Sequence, residues 1–198
     1  MKKILLFIIV PVFAFSCNRN GNTENNDLQK LNLRGSVKTI TEYTHDGFSV
    51  LYTFDENGVL LSRQAFNPNG TLAWVSDLSA PTDNDTEKKE YDDAGNLTRH
   101  VMYYESESIV TTYRYNEKHQ LVEQVECRDT INQISTTWQF EYDNKGDIIK
   151  ETCTYADGSA TQLEYSYQYD KQDNWIIRQT IDNNNNTRFF TERKIEYY

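Results

Sequence analysis

Five copies of one seven-residue pattern constrain this chain more than any other feature. They are Phe54-Asp55-Glu56-Asn57-Gly58-Val59-Leu60, Tyr91-Asp92-Asp93-Ala94-Gly95-Asn96-Leu97, Tyr115-Asn116-Glu117-Lys118-His119-Gln120-Leu121, Tyr142-Asp143-Asn144-Lys145-Gly146-Asp147-Ile148 and Tyr169-Asp170-Lys171-Gln172-Asp173-Asn174-Trp175. Their aromatic anchors are 37, 24, 27 and 27 residues apart, and the long first gap contains the polar stretch Asp77 to Thr86. The fifth position is Gly58, Gly95, His119, Gly146 or Asp173, residue types that reach positive φ at least cost. At the second position, Asp55, Asp92, Asp143 and Asp170 carry a carboxylate that can accept backbone N–H groups two residues on. Together these positions predict a hairpin loop that ends in a left-handed residue.

Ahead of the anchors the aromatics alternate, as in Tyr52-x-Phe54, Tyr113-x-Tyr115, Trp138-x-Phe140-x-Tyr142 and Tyr165-x-Tyr167-x-Tyr169. A period of two places these rings on one face of a strand. Further turn signals lie between the anchors: Asp46-Gly47, Asn69-Gly70, Asp157-Gly158 and the run Asn183 to Asn186. Each repeat therefore supplies two strands and two reverse turns. The chain is expected to be all-β, an antiparallel meander of about thirteen strands built from tandem hairpins. A flat layer of that width leaves both faces wet, so the sheet is expected to curve strongly, as an open sheet or a partial barrel, with its aromatic face inward.

The Tyr-Asp-x-x-Gly-Asn-Leu pattern, closest at the Tyr91 and Tyr142 copies, resembles the YD repeat of the RHS family, and most nearly the short bacterial lipoproteins built from a few such repeats. The likeness covers roughly residues 36–198. In large RHS proteins long arrays of the repeat form a cocoon around a toxin. Five copies imply only the strand-and-turn architecture here.

The first residues read as an address. Met1-Lys2-Lys3 is a positive leader, and the apolar run Ile4 to Phe15 spans only about 18 Å as a helix, short of a bilayer core of about 30 Å. This is the pattern of a secretory signal. Ala14-Phe15-Ser16-Cys17 resembles the lipobox of bacterial lipoproteins, which implies that Cys17 becomes the lipidated first residue of the mature chain. Several acyl chains at about 0.8 kcal/mol per buried CH₂ hold such a protein stably. The expected organisation is a signal peptide at residues 1–16, a lipidated Cys17 with a flexible polar tether to residue 30, and a repeat β domain at 31–198.

Charge narrows the function classes. The chain has 20 Lys+Arg against 30 Asp+Glu, a net charge of −10 that becomes −12 once Lys2 and Lys3 are removed. A pI near 4.8 argues against nucleic acid, which calls for a basic face, and against flat binding to anionic lipid. An aromatic content of 13% is too high for a disordered chain.

Catalytic and metal signals are weak. His45, His100 and His119 lack metal-ligand spacing to one another or to cysteine. Asp83-Asn84-Asp85-Thr86-Glu87 resembles alternating calcium ligands, but Lys88 stands where the loop requires Gly, so a solvated acidic loop is the expectation. No Gly-x-Ser-x-Gly, P-loop or HExxH is present, and no spacing selects a glycosidase carboxyl pair. Asp129-Thr130-Ile131 resembles a bacterial O-glycosylation triplet. Cys127 and Cys153 fall on strands separated by a third, about 9.6 Å apart and too far to bridge, and are expected to be buried free thiols. Trp138 and Trp175 sit at repeat positions and read as core. Trp74, with Tyr103 and Tyr104, is the candidate stacking surface.

These readings point to a non-catalytic cell-envelope lipoprotein, held at the outer membrane on its periplasmic or surface face, that presents a surface or edge of its sheet to another protein. The alternative is a carbohydrate-binding module using exposed aromatics, and a third reading is an inhibitor or immunity lipoprotein acting through the Asp77–Thr86 loop. The expected partner is an envelope protein or a glycan. Membrane contact is through the lipid alone, with no cofactor, metal or nucleic acid. Cys17→Ser is expected to move the protein from the membrane pellet to the soluble fraction; continued pelleting in high salt would contradict lipidation.

Overall fold

The computed structural model describes residues 27–77, 86–105, 107–129 and 134–198. The signal segment, Cys17, residues 18–26, the insert residues 78–85 with Asp83-Asn84-Asp85, and Thr130-Ile131 lie outside the described residues. After a helical turn, α1 (Asp27–Lys30), come β1 (Val37–Thr44), β2 (Ser49–Phe54), β3 (Leu60–Phe66), β4 (Leu72–Asp77), β5 (Glu87–Tyr91) and β6 (Leu97–Tyr103). β7 (Ser108–Tyr115), β8 (Leu121–Asp129), β9 (Ile134–Tyr142), β10 (Ile148–Thr154), β11 (Ala160–Tyr169), β12 (Trp175–Asp182) and β13 (Thr187–Tyr197) complete it. All thirteen strands form one antiparallel sheet in the order β4-β3-β2-β1-β13-β12-β11-β10-β9-β8-β7-β6-β5. The fold is thus the all-β meander expected, left open, with the first strand paired to the last.

The five repeat turns share one geometry. In each, the second residue's side-chain oxygen accepts two backbone N–H groups: Asp55 from Asn57 and Val59, Asp92 from Ala94 and Asn96, Asn116 from Lys118 and Gln120, Asp143 from Lys145 and Asp147, and Asp170 from Gln172 and Asn174, all at 2.8–3.0 Å. The fifth residues have φ of 80°, 82°, 60°, 89° and 63° at Gly58, Gly95, His119, Gly146 and Asp173. Across every turn the anchor pairs with the seventh residue through a bulge, as in Phe54 with Leu60 and Tyr115 with Leu121. Bulges bend and twist a strand, and five at the same end bend the sheet the same way.

The strand order makes the curvature measurable. Laid flat, thirteen strands put β4 and β5 about 58 Å apart, whereas the ten Cα steps from Asp77 to Glu87 reach at most about 35 Å. The sheet must curl to bring its edges within that reach. It does not close into an antiparallel barrel, because with thirteen antiparallel strands β4 and β5 run the same way. Curling shelters one face: Ile40, Tyr52, Phe54 and Leu60 are buried in one cluster, and Trp138, Phe140 and Cys153 in another.

Tyrosines stitch neighbouring hairpins on that face. The hydroxyls of Tyr115 and Tyr142 donate to the Leu97 and Leu121 carbonyls at 3.0 and 2.6 Å, Tyr167 donates to Ile148, and Tyr198 donates to Phe54 at 2.8 Å. Burial pushes the Tyr115 hydroxyl up to about 12, so it remains a donor at neutral pH.

Asp27–Lys30, the last four residues of the segment that reads as tether, belong to the domain. Leu28 and Leu33 are buried in the Phe54 cluster, with Leu31 partly buried beside them. Asp27 accepts the Leu60 N–H at 2.8 Å, Asn32 donates to Asp147 at 2.9 Å, and Arg34 donates to the Lys145 and Asp173 carbonyls at 2.7 Å. Asn174, only 1% exposed, accepts the Arg34 N–H and donates to its carbonyl. Residues 27–34 therefore strap together turns that lie six strands apart along the sheet, a second sign of how tightly this end is rolled.

Cys127 and Cys153 are both free, on β8 and β10 with β9 between them. Cys153 is buried as expected. Cys127 is only half-buried, because it pairs with Ser135 while Cys153 pairs with Trp138, and these two β9 residues point to opposite faces.

A Cβ at Gly95 would meet nothing within 4 Å, whereas one at Gly146 would come within 3.2 Å of Asn32 Oδ1 and Gln120 Nε2. Gly95→Ala is expected to cost about 1 kcal/mol through its positive φ alone. Gly146→Ala is expected to cost more, because it also displaces the strap, and Gly146→Val more again. Thermal melts of the three variants check the order; equal Tm for wild type and Gly146→Val would contradict the turn geometry.

Candidate functional site

The concave face is not purely apolar. Strand alternation that points Ile40, Tyr52 and Phe54 inward also points Glu42, Arg63, Arg178 and Arg193 inward: Arg63 pairs across from Tyr52, Glu42 from Arg193, and Arg178 from Tyr167. A charged residue on a sheltered face must be paired or it destabilises the fold.

Arg193 is paired. Its Nε and one terminal nitrogen donate to Glu42 Oε1 at 2.8 and 2.6 Å, both side chains are only 12% exposed, and the guanidinium lies 3.4 Å from the Trp175 ring centroid. Arg178 stacks 5.2 Å from Trp175 and 5.4 Å from Tyr165, and Arg63 lies 5.4 Å from Trp74 and 5.7 Å from Tyr52. The result is a belt in which three guanidiniums alternate with aromatic rings across β4, β3, β2, β13, β12 and β11. Guanidinium–ring stacking contributes about 0.5–2 kcal/mol each, most when desolvated.

The belt's electrostatics follow from its burial. Tyr52 is pushed above the ordinary tyrosine range, first by burial and then by Glu42, and the three arginines pull it back. Tyr165 is raised likewise, by burial and the Glu151 charge, and donates to Glu151 at 2.9 Å. Burial also raises the Glu151 carboxyl. These groups hold protons and positions. None pairs a poised base with a nucleophile, and among the described residues no group of three or more His, Cys, Asp or Glu could hold a metal ion.

The sequence-level candidates fall in different places. Trp74 is 43% exposed on the edge strand β4, with Arg63 over its ring. Tyr103 and Tyr104, at 50% and 54% exposed, stand at the end of β6, toward the opposite edge, and no ring contact joins them to Trp74. Trp138 and Trp175 are buried. Asp55, Gly58, Asp92, Gly95, Asp143, Gly146 and Asp170 all lie at the turn end, where they shape backbone. The belt arginines escaped notice although Arg193 shares the period-two face of Ile195 and Tyr197, and Glu42 that of Ile40.

Removing the Glu42 charge strands Arg193 in a buried site. Glu42→Gln is expected to destabilise by about 3–5 kcal/mol, against about 0–1 kcal/mol for Glu141→Gln at the more exposed Lys150 pair. Urea unfolding of both variants measures the difference, and similar small losses in the two would show that the pair does not hold the face.

No family model matches the chain, and no curated protein matches it. Among solved structures it is similar to a porin-like protein from Bacteroides vulgatus, at 9% identity and a TM-score of 0.36, over 82% of this chain and 98% of the other. Among the described residues no helix is long and apolar enough to cross a membrane.

Proposed function

We propose that this chain is a non-catalytic cell-envelope lipoprotein of the YD-repeat type, anchored through Cys17 at the outer membrane, whose sheet binds another protein along the β4 edge. One observation carries the reading: the two edges are built differently. β5 reads Glu-Lys-Lys-Glu-Tyr and is laced by ion pairs, Lys89–Glu87 at 2.8 Å, Lys88–Glu90 at 3.3 Å and Arg99–Glu90 at 3.0 Å. Charged edges of this kind repel strand addition. β4 reads Leu-Ala-Trp-Val-Ser-Asp and exposes Leu72 at 54%, Trp74 at 43% and Val75 at 56%. An extended partner strand would find backbone donors and acceptors there together with apolar side chains on both faces.

A second reading, a carbohydrate-binding module, is favoured by the exposed Trp74 ring. A glycan array with wild type and Trp74→Ala separates the two, because silence on the array rejects the module.

A photo-crosslinking residue placed at Val75 is expected to trap a partner in intact cells, while the same residue at Lys88 traps none. Val75→Lys is expected to abolish the partner's retention without lowering Tm. Equal labelling from both edges, or none from either, overturns the edge reading.

A further inference from the structure

The arginine belt has more cation than its own carboxylates can satisfy. Arg193 is taken up by Glu42. Arg63 and Arg178 are not: the Nε of each is shielded from solvent and has no hydrogen-bond partner among the described residues, and a terminal nitrogen of Arg178 donates to Thr191 Oγ1 at 3.5 Å. The rings beneath them fix the guanidinium planes but accept few of the five N–H donors each one carries. A buried donor left without an acceptor costs about 1–3 kcal/mol.

Neighbouring acids do not fill the gap. Glu151 is raised by burial and held by the Tyr165 hydroxyl, and although it feels the Arg178 charge it makes no ion pair with it. Asp182 accepts the N–H groups of Asn184 and Asn185 and the Asn185 side-chain amide at 2.7 Å, so it is committed to its turn. Glu126 and Glu87, farther round the same face, pair with Arg128 and Lys89. In a chain of net charge −10, Arg63 and Arg178 stand on one sheltered face with no carboxylate within ion-pair distance of either among the described residues. Tyr52 lies between them and within the field of both.

We propose that the concave face around Tyr52 is a binding site for an anionic ligand, whose carboxylate, sulfate or phosphate groups are gripped by Arg63 and Arg178. Stacked guanidiniums present their remaining N–H groups in a fixed fork, the geometry that oxyanions accept in pairs. The two arginines stand on β3 and β12, four strand spacings apart, or about 19 Å along the curved sheet and less across the hollow. A ligand that engages both carries at least two anionic groups. Trp74, at the open margin beside Arg63, gives it an apolar ring to lie on. The site is independent of the β4 edge reading, since it uses the hollow and not the strand's free backbone.

The test is titration calorimetry on the full-length protein in detergent with citrate, sulfate and inorganic phosphate in turn, at constant ionic strength. Saturable binding of at least one anion is expected, weakened about tenfold or more in at least one of Arg63→Gln and Arg178→Gln, since sulfate or phosphate engages one guanidinium at a time, and partly restored in the matching Lys variant. Which of the three binds identifies the oxyanion. Arg114→Gln, an exposed arginine paired with Glu123 on the other face, serves as control and should bind as wild type. If a belt variant unfolds, the Nε–H resonances of Arg63 and Arg178 in wild type, which should move as the anion is added, decide instead. No saturable heat from any anion with both resonances still, or a loss as large in Arg114→Gln as in the belt variants, overturns the site.

Discussion

A single layer of strands has no second layer to bury its apolar side, so bending is the means by which this chain makes a core. The bend originates in the repeat turns. An Asx side chain bridges the first two free N–H groups, a residue at positive φ brings the chain back, and the bulge that results adds one residue to one strand but not to its partner. Repeated five times at one end, this local irregularity becomes a global shape. The hydroxyls of the Tyr115 and Tyr142 anchors then bond to carbonyls of the preceding repeat, and that of Tyr169 to the Asp143 and Asp147 carboxylates, which ties neighbouring units together.

The strap completes what the turns begin. Its three leucines enter the narrow end, while Asn32 and Arg34 read the sixth residues and carbonyls of the last two repeat turns. The wide remainder of the hollow is left to long side chains, which is where the arginines lie. One face thus holds a sheltered end filled with leucine and a middle lined with stacked cations.

Much of the architecture was legible locally. Asp at position two and Gly, His or Asp at position five are backbone chemistry, so the five turns and their left-handed residues could be placed from residue type alone, and alternating rings marked the strand faces. What escaped notice depends on residues distant in the chain. Asp27–Lys30 reads as polar leash because its burial depends on Gly58 and Leu60. The half-exposure of Cys127 follows from alternation: it lies twelve residues past its anchor where Cys153 lies eleven, which puts the two on opposite faces. Glu42 and Arg193 look like ordinary solvent-side charges until the ends of the chain are paired, since 151 residues separate them. A sequence shows period two plainly, but not which distant strand will lie opposite.

The pairing of β1 with β13 has a kinetic consequence. The four strands β1 to β4 form one end of the sheet, and among the described residues their strand pairing to the other eight runs through the last strand of the chain. During synthesis or export, that N-terminal quarter waits with an unpaired inner edge until the C-terminal residues arrive. Contacts of such long sequence separation are slow to form, so the sheet is finished by docking a preformed N-terminal meander onto a late-arriving strand. A chain that stops short of Thr187 would lose more than its final strand: the first four, with Tyr52, Arg63 and Trp74, would have no strand to pair with and only the strap to hold them.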